Sequence, residues 1–163
     1  MAGTGTTTLS EMTQRHFIES NRIEDVTDLG EVPKAIIAWN YLVSQPYLHT
    51  GAILIVHRHL MADLMPAQEV GKWRRSGVAV RGRLCPSYHD IPRLMSDFIS
   101  YFDVYGPEHL DPRTMHIKFE HIHPFRDGNG RTGRMLMWWH EVQKGQSPTL
   151  ITYDERHKYY DWF

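Results

Sequence analysis

The residues best suited to chemistry lie in one 12-residue segment, from His123 to Arg134, which reads HPFRDGNGRTGR. His123 is the only group in the segment that titrates near neutrality, so it could take a proton from an attacking hydroxyl. Asp127 is its one carboxylate, and Mg²⁺ is typically bound by one or two carboxylates together with substrate phosphates. Arg131 and Arg134 are three residues apart, which puts both guanidinium groups on one helix face, and such groups match phosphate oxygens.

Two glycines complete this pattern. Gly128 and Gly130 flank an asparagine, and glycines there can take positive φ and expose successive backbone N–H groups to an anion. A helix that starts after the loop would add its N-terminal dipole and free amides. Pro124 and Phe125 would fix the direction of the His123 imidazole. A base, a metal ligand and a phosphate-binding loop in one segment predict phosphoryl or nucleotidyl transfer from a nucleoside triphosphate.

The elements that must position this segment are mostly helices, because apolar residues recur at helical spacing along the chain. Asp111 before Pro112 is a strong helix start, since proline at the first position loses no needed hydrogen bond. Ser10 is a plausible N-cap for the first helix. We expect helices over about 10–21, 32–43, 53–64, 94–102, 112–122, 132–143 and 154–162.

One segment, 76–85, is typical of strands, because two valines alternate there between glycines and the segment ends at Pro86. It predicts a short hairpin with an exposed edge. Unpaired N–H and C=O groups on such an edge can pair with a segment of another protein. We expect this hairpin to dock a target protein through Gly77, Val78, Ala79, Val80, Arg81, Gly82 and Arg83.

Length and composition indicate one soluble globular domain. The chain has 163 residues, and its 18 Lys and Arg against 19 Asp and Glu give a net charge of −1, which suggests neither a nucleic-acid partner nor a membrane partner. A single cysteine, Cys85, excludes an internal disulfide and suits the cytoplasm, of its own cell or of a host cell if the protein is delivered. We expect residues 1–9 to be disordered and 10–163 to form the domain.

The segment from His123 to Arg134 resembles the signature of the Fic family, HPFx[D/E]GNGRxxR, and matches every specified position. The resemblance implies an all-α Fic-type helical bundle with a hairpin flap. It also implies Mg²⁺-dependent transfer of AMP from ATP to a Ser, Thr or Tyr hydroxyl of a target protein. By position, it implies a general base at His123, a magnesium ligand at Asp127, phosphate contacts at Gly128, Asn129, Gly130 and Arg131, a γ-phosphate contact at Arg134, and structural roles for Pro124 and Phe125.

An inhibitory helix is a further implication of the resemblance. Many Fic proteins carry the motif [S/T]xxxE[G/N], whose glutamate pairs with the second arginine of the signature and blocks productive ATP binding. Residues 17–21 resemble its common form, which favours Glu19 as the inhibitory residue, paired with Arg134. A second register runs from Ser20 to Glu24 and fails the motif only at its last position.

Several activities stay open from the sequence. Gly130 favours AMP transfer, because the related Doc-type kinases carry lysine there, but UTP could replace ATP as the donor. The same residues could remove AMP from a modified protein, with Glu19 positioning water. A non-catalytic nucleotide-binding module and a metal-dependent phosphohydrolase are alternatives from other classes. The target, self-modification and the oligomeric state are not determined by these residues.

Overall fold

The computed structural model describes residues 5–163, with side chains described from residue 14 onward. This part of the chain folds into seven α-helices and one two-stranded hairpin, which confirms the predicted all-α class. Three short 3-10 turns connect the helices. The helices are α1 Gly5–Ile23, α2 Glu31–Val43, α3 Thr50–Met61, α4 Ile91–Tyr105, α5 Pro112–Ile122, α6 Asn129–Gln143 and α7 Arg156–Tyr160.

The first helix is longer than predicted. It begins at Gly5 and ends at Ile23, whereas the sequence pattern indicated 10–21 with Ser10 as its N-cap. The predicted disordered stretch, 1–9, therefore overlaps the start of α1, and its residues 1–4 lie outside the described residues. The end of α1 matters for function because it carries the residues considered above for an inhibitory contact.

Helices α5 and α6 position the 123–134 segment. Helix α5 starts as predicted, with Asp111 as N-cap: its Oδ2 accepts a 2.8 Å hydrogen bond from the amide of Thr114, and Pro112 takes the first helical position. Helix α6 starts three residues before the predicted 132, at Asn129. It is the central helix, and every residue from Arg131 to Glu141 is buried. A helix buried all round holds its N-terminus rigidly against its neighbours.

The predicted hairpin is present. Strand β1 (Ala79–Val80) pairs antiparallel with β2 (Arg83–Leu84). The turn residues Arg81 and Gly82 both have positive φ, 51° and 78°, as the tight turn that matches strand twist requires. Each strand of this two-stranded sheet keeps one edge free, as target docking would require. None of the helices in residues 5–163 combines the length and the apolar character of a membrane span.

Candidate active site

The loop between α5 and α6 is closed by the side chain of Asn129. Its Oδ1 accepts a hydrogen bond from the amide of Phe125, and its Nδ2 donates to the carbonyl of Phe125, both at 2.9 Å. Asn129 is buried, so neither bond competes with water. The asparagine of the motif therefore holds the loop shape through its side chain.

Phe125 anchors the loop from below. Its ring is fully buried and stacks on His57, with centroids 3.7 Å apart and planes 9° apart. His57 Nδ1 accepts from the amide of Gly71 (2.9 Å), so Nε2 carries the proton and donates to the carbonyl of Asp127 (3.0 Å). Burial lowers the pKa of His57 to about 4, which keeps the ring neutral. His57 is therefore a satisfied buried histidine that supports the loop.

The two motif glycines serve different purposes. Gly128 has φ 77°, and a Cβ there would lie 2.6 Å from the Sδ of Met61, so both backbone and space require glycine. Gly130 does not use the positive φ that the sequence allowed for both glycines, because it already belongs to α6. A Cβ at Gly130 would overlap Oε1 of Glu24. Glycine at this position leaves room for a carboxylate at the N-terminus of α6.

His123 ends α5 in a left-handed conformation, with φ 49° and ψ 61°. Its Nδ1 lies 3.5 Å from Oε2 of Glu120, one helical turn earlier, and the two side chains are 18% and 12% exposed. Burial would raise the pKa of Glu120, but the hydrogen-bonding contact with His123 and the neighbouring His116 and Arg134 lower it overall, so it is anionic. A carboxylate at Nδ1 leaves Nε2 as the nitrogen that can accept a proton. Sequence reasoning missed this role, although the i−3 spacing was visible.

Arg74 ties the hairpin to the loop. It is 4% exposed and donates to four backbone carbonyls, including those of His123 (2.8 Å), Ser76 (2.9 Å) and Pro86 (2.6 Å). Its own amide donates to the carbonyl of Pro124 (2.9 Å). Ser76 and Pro86 are the two ends of the hairpin segment. One buried guanidinium, which could not be assigned a role from the sequence, therefore connects both ends of the hairpin to the backbone of the predicted base.

The tip of the hairpin makes a separate contact. Arg81 lies over the ring of Tyr160, 4.3 Å from its centroid, and donates to the Tyr160 carbonyl at 3.0 Å. Tyr160 in turn donates from its hydroxyl to the carbonyl of Ile23 at 3.2 Å. The hairpin thus reaches across to α7 and to the end of α1.

Arg131 is the buried cation nearest the loop carboxylate. It is 5% exposed, and burial is the main cause that lowers its pKa. Its Nη2 lies 4.0 Å from Oδ1 of Asp127. Within the described part of the chain, its Nε and Nη1 have no hydrogen-bond partner. Buried donors without acceptors are costly, so this guanidinium suits an anionic ligand.

Asp127 could contribute to a metal site as a single ligand. Its side chain is 65% exposed, and Oδ1 accepts a 2.6 Å hydrogen bond from the amide of Gly128. No group of three His, Cys, Asp or Glu side chains suited to a metal occurs among the described residues. One accessible carboxylate beside a phosphate-binding helix end fits Mg²⁺, which takes its other ligands from phosphates and water.

Arg134 on α6 is fully buried against the C-terminal end of α1. It donates to Oε1 of Glu24 (2.8 Å), to Oγ (2.8 Å) and the carbonyl (2.9 Å) of Ser20, and to the hydroxyl of Tyr159 (3.1 Å). Burial opposes the charge, but Tyr159 and Glu24 raise the pKa of Arg134, so it stays protonated. Every nitrogen of this guanidinium has a protein partner.

The predicted pair between Glu19 and Arg134 is wrong. Glu19 accepts hydrogen bonds from Arg22 (2.9 Å) and from the amide of Tyr153 (2.7 Å). Glu24 lies in the turn just after α1, and its Oε1 accepts the 2.8 Å hydrogen bond from Nη2 of Arg134. The register from Ser20 to Glu24, which the sequence left as the alternative, is therefore the one whose glutamate contacts Arg134.

Comparison with known proteins agrees with this geometry. Residues 47–140 match the model of the Fic/DOC family. A protein adenylyltransferase Fic from Aedes aegypti is 40% identical over 114 residues, which are 68% of this chain and 23% of the relative. The chain thus spans about a quarter of that relative's length.

Solved structures agree at the level of the fold. A Fic domain containing signaling protein from Bacteroides thetaiotaomicron has a TM-score of 0.80 at 17% identity and covers 94% of this chain and 71% of its own. Fic-1 from C. elegans has a TM-score of 0.74 at 24% identity and covers 97% of this chain and 57% of its own.

Proposed function

This chain belongs to the Fic/DOC family, and we propose that it transfers AMP from ATP to a hydroxyl group of a target protein. The observation that carries the proposal is the buried Arg131, whose Nε and Nη1 lack partners among the described residues, beside the N-terminus of α6. Amides at a helix start and unpaired guanidinium donors together form a site for phosphates. The adenylyltransferase name of the Aedes aegypti relative supports AMP as the transferred group.

In this proposal, the triphosphate lies against the first amides of α6 and the donors of Arg131. Asp127 would hold Mg²⁺, which when bound supplies positive charge for the phosphates. The Nε2 of His123 takes the proton of the target hydroxyl, whose oxygen forms a bond to the α-phosphorus. The bond to the β-phosphate oxygen breaks, and pyrophosphate leaves with the electron pair. Glu120 keeps its carboxylate at Nδ1 and stabilises the protonated imidazole.

The proposal assigns the target to the hairpin. A target segment that pairs with a free edge of β1 or β2 would be held mainly by backbone hydrogen bonds. Because Arg74 joins the ends of the hairpin to the His123 carbonyl, a docked segment keeps a fixed relation to the base. Positioning of this kind supplies a large part of catalysis in transfer reactions.

Glu24 is the inhibitory residue in this proposal, in place of Glu19. Its carboxylate binds Arg134 and lies against Gly130 at the start of α6, where an anion is favoured. It therefore occupies the position that the terminal phosphate of ATP needs for binding. Release of Glu24 would free both the guanidinium and the helix end.

The test is self-labelling with α-labelled ATP and Mg²⁺. Glu24→Gln removes the charge at nearly constant shape, and Glu19→Gln, five residues earlier on α1, is the matched control. A hydrogen bond to a charged group contributes about 1.5–3 kcal/mol, so Glu24→Gln should label about 10- to 100-fold faster than wild type. Glu19→Gln should label like wild type, and His123→Ala should not label.

Other outcomes each reject a part of the proposal. Faster labelling by Glu19→Gln alone would reject the inhibitory role of Glu24. Label from γ-labelled ATP or from UTP, with none from α-labelled ATP, would change the donor. If Glu24→Gln binds ATP but is not labelled by any nucleotide, the result would favour a nucleotide-binding regulatory module.

A further inference from the structure

A cavity of about 430 Å³ opens beside the hairpin, outside the phosphate site described above. It lies between the segment that leads into the hairpin and the loop residue Arg126. Lys72, Arg74, Arg75 and Ser76 contribute to its wall. Neither Arg131 nor Arg134 lines it, so the cavity serves a different ligand from the triphosphate.

The charge of the cavity is strongly unbalanced. Four cations line it, Lys72, Arg74, Arg75 and Arg126, against the single carboxylate of Glu69. Glu69 lies 3.5 Å from Nε of Arg126 and so compensates one of them in part. Three of the cations are exposed at the mouth, and clefts with one sign of charge attract ligands of the opposite sign.

Arg74 gives the cavity a buried charge as well. Its hydrogen bonds within the described residues all go to carbonyl oxygens and none to a carboxylate. Burial lowers the pKa of Arg74, which reflects the cost of a cation held away from water. An anion in the adjacent cavity would offset this cost.

The position of the cavity indicates what would bring the anion. Its wall includes Ser76, at one end of the hairpin, and Arg74, which contacts the backbone of His123. A segment docked on the hairpin therefore passes this cavity while its hydroxyl lies near the base. An acidic side chain close in sequence to the hydroxyl is the anion that such a geometry delivers.

We propose that this basic cavity binds an acidic side chain of the target, so that the protein selects hydroxyls with Asp or Glu nearby. The proposal rests on the function proposed above, since it specifies the target of the same site. The ligand is a carboxylate of the target protein, which reaches the cavity when the target segment docks on the hairpin.

The test uses peptides with one threonine hydroxyl and a single Glu moved through the flanking positions, each paired with a Gln version and a Lys version. Transfer of AMP is measured with Glu24→Gln protein as kcat/KM. At the matching position, the Glu peptide should exceed the Gln peptide about 3- to 10-fold, the effect of one or two exposed ion pairs. Arg75→Glu, added to Glu24→Gln, lowers the excess of positive charge in the lining from three to one. The preference for the Glu peptide should therefore shrink and the Lys peptide should gain, with KM for ATP unchanged.

A matched control keeps net charge from explaining the result. Arg93 is exposed on α4, away from the cavity lining, and Arg93→Glu should leave the Glu preference intact. Equal kcat/KM for Glu and Gln peptides at every position would overturn the proposal. A Glu preference of undiminished size in Arg75→Glu would overturn it as well.

A binding measurement separates this proposal from the proposed function. Fluorescence anisotropy with the same peptides on His123→Ala protein reports docking without transfer. Charge-selective binding that Arg75→Glu weakens, with no transfer by Glu24→Gln protein, would reject the transferase and support the cavity. Transfer to all peptides regardless of charge would support the transferase and overturn the cavity.

Discussion

Acid should unfold this protein through a histidine beneath the active site. His116 on α5 is almost fully buried, and its Nε2 lies 2.9 Å from the hydroxyl of Tyr159. Burial lowers the pKa of His116 to about 4 from 6.5, while Glu120 and Arg134 act on it in opposite directions. In the folded state His116 therefore stays neutral down to about pH 4, whereas in the unfolded chain it takes up a proton near pH 6.5.

The sign and the size follow from this difference in pKa. The contribution of His116 to the free energy of unfolding is fully present above about pH 6.5 and is lost as the pH falls. The loss ends below about pH 4, where His116 is protonated in both states. A difference of about 2.5 units at about 1.4 kcal/mol per unit gives about 3 kcal/mol. That is a large part of the 5–15 kcal/mol typical of a domain.

The assay is urea unfolding of wild type and His116→Gln between about pH 7 and pH 4. Glutamine can still form a hydrogen bond with Tyr159 but does not titrate. The variant should be less stable than wild type at pH 7, and its free energy of unfolding should fall less with acid, by up to about 3 kcal/mol. His57 titrates in both proteins and cancels in the comparison. Equal slopes for the two proteins would refute the assignment.

Two further predictions concern the loop. Gly128→Ala should destabilise the fold by about 2 kcal/mol or more, from the positive φ and the contact with Met61. Thermal unfolding of this variant with and without Met61→Ala should show coupling between the two changes, and strict additivity would reject the steric cause. Asn129→Ala removes both hydrogen bonds to the Phe125 backbone and should cost about 2–3 kcal/mol. Amide exchange at Phe125 should also accelerate, and unchanged protection there would contradict the loop-closing role.

The sequence was most informative for features that depend on the types of a few neighbouring residues. The periodicity of apolar residues predicted seven helices and a hairpin, and the pair Asp111–Pro112 fixed the start of α5. The spacing of His123, Asp127 and Arg131 predicted that they belong to one loop and the helix after it. These features depend on neighbours within a few residues, which the chain order supplies directly.

The failures arose where distant segments meet. Glu19 lies on α1 and Glu24 in the turn after it, and only the packing of this segment against α6 decides which of them contacts Arg134. The four carbonyl partners of Arg74 could not be predicted from the sequence, because they come from two segments up to 49 residues away. The turn pattern allowed positive φ at Gly130, which the structure does not use because the helix has already begun there.

The contact between Arg74 and both ends of the hairpin has a consequence for how such a protein diversifies. The residues from Gly77 to Cys85 leave and return through carbonyls held by one side chain, which also holds His123. We expect a hairpin from a relative, exchanged between these ends with Arg81 retained for its contact with Tyr160, to change which protein is modified while the basal self-labelling rate stays the same. Recognition can then change while the chemistry is preserved, because the exchange keeps both the Arg74 bonds and the Arg81–Tyr160 contact.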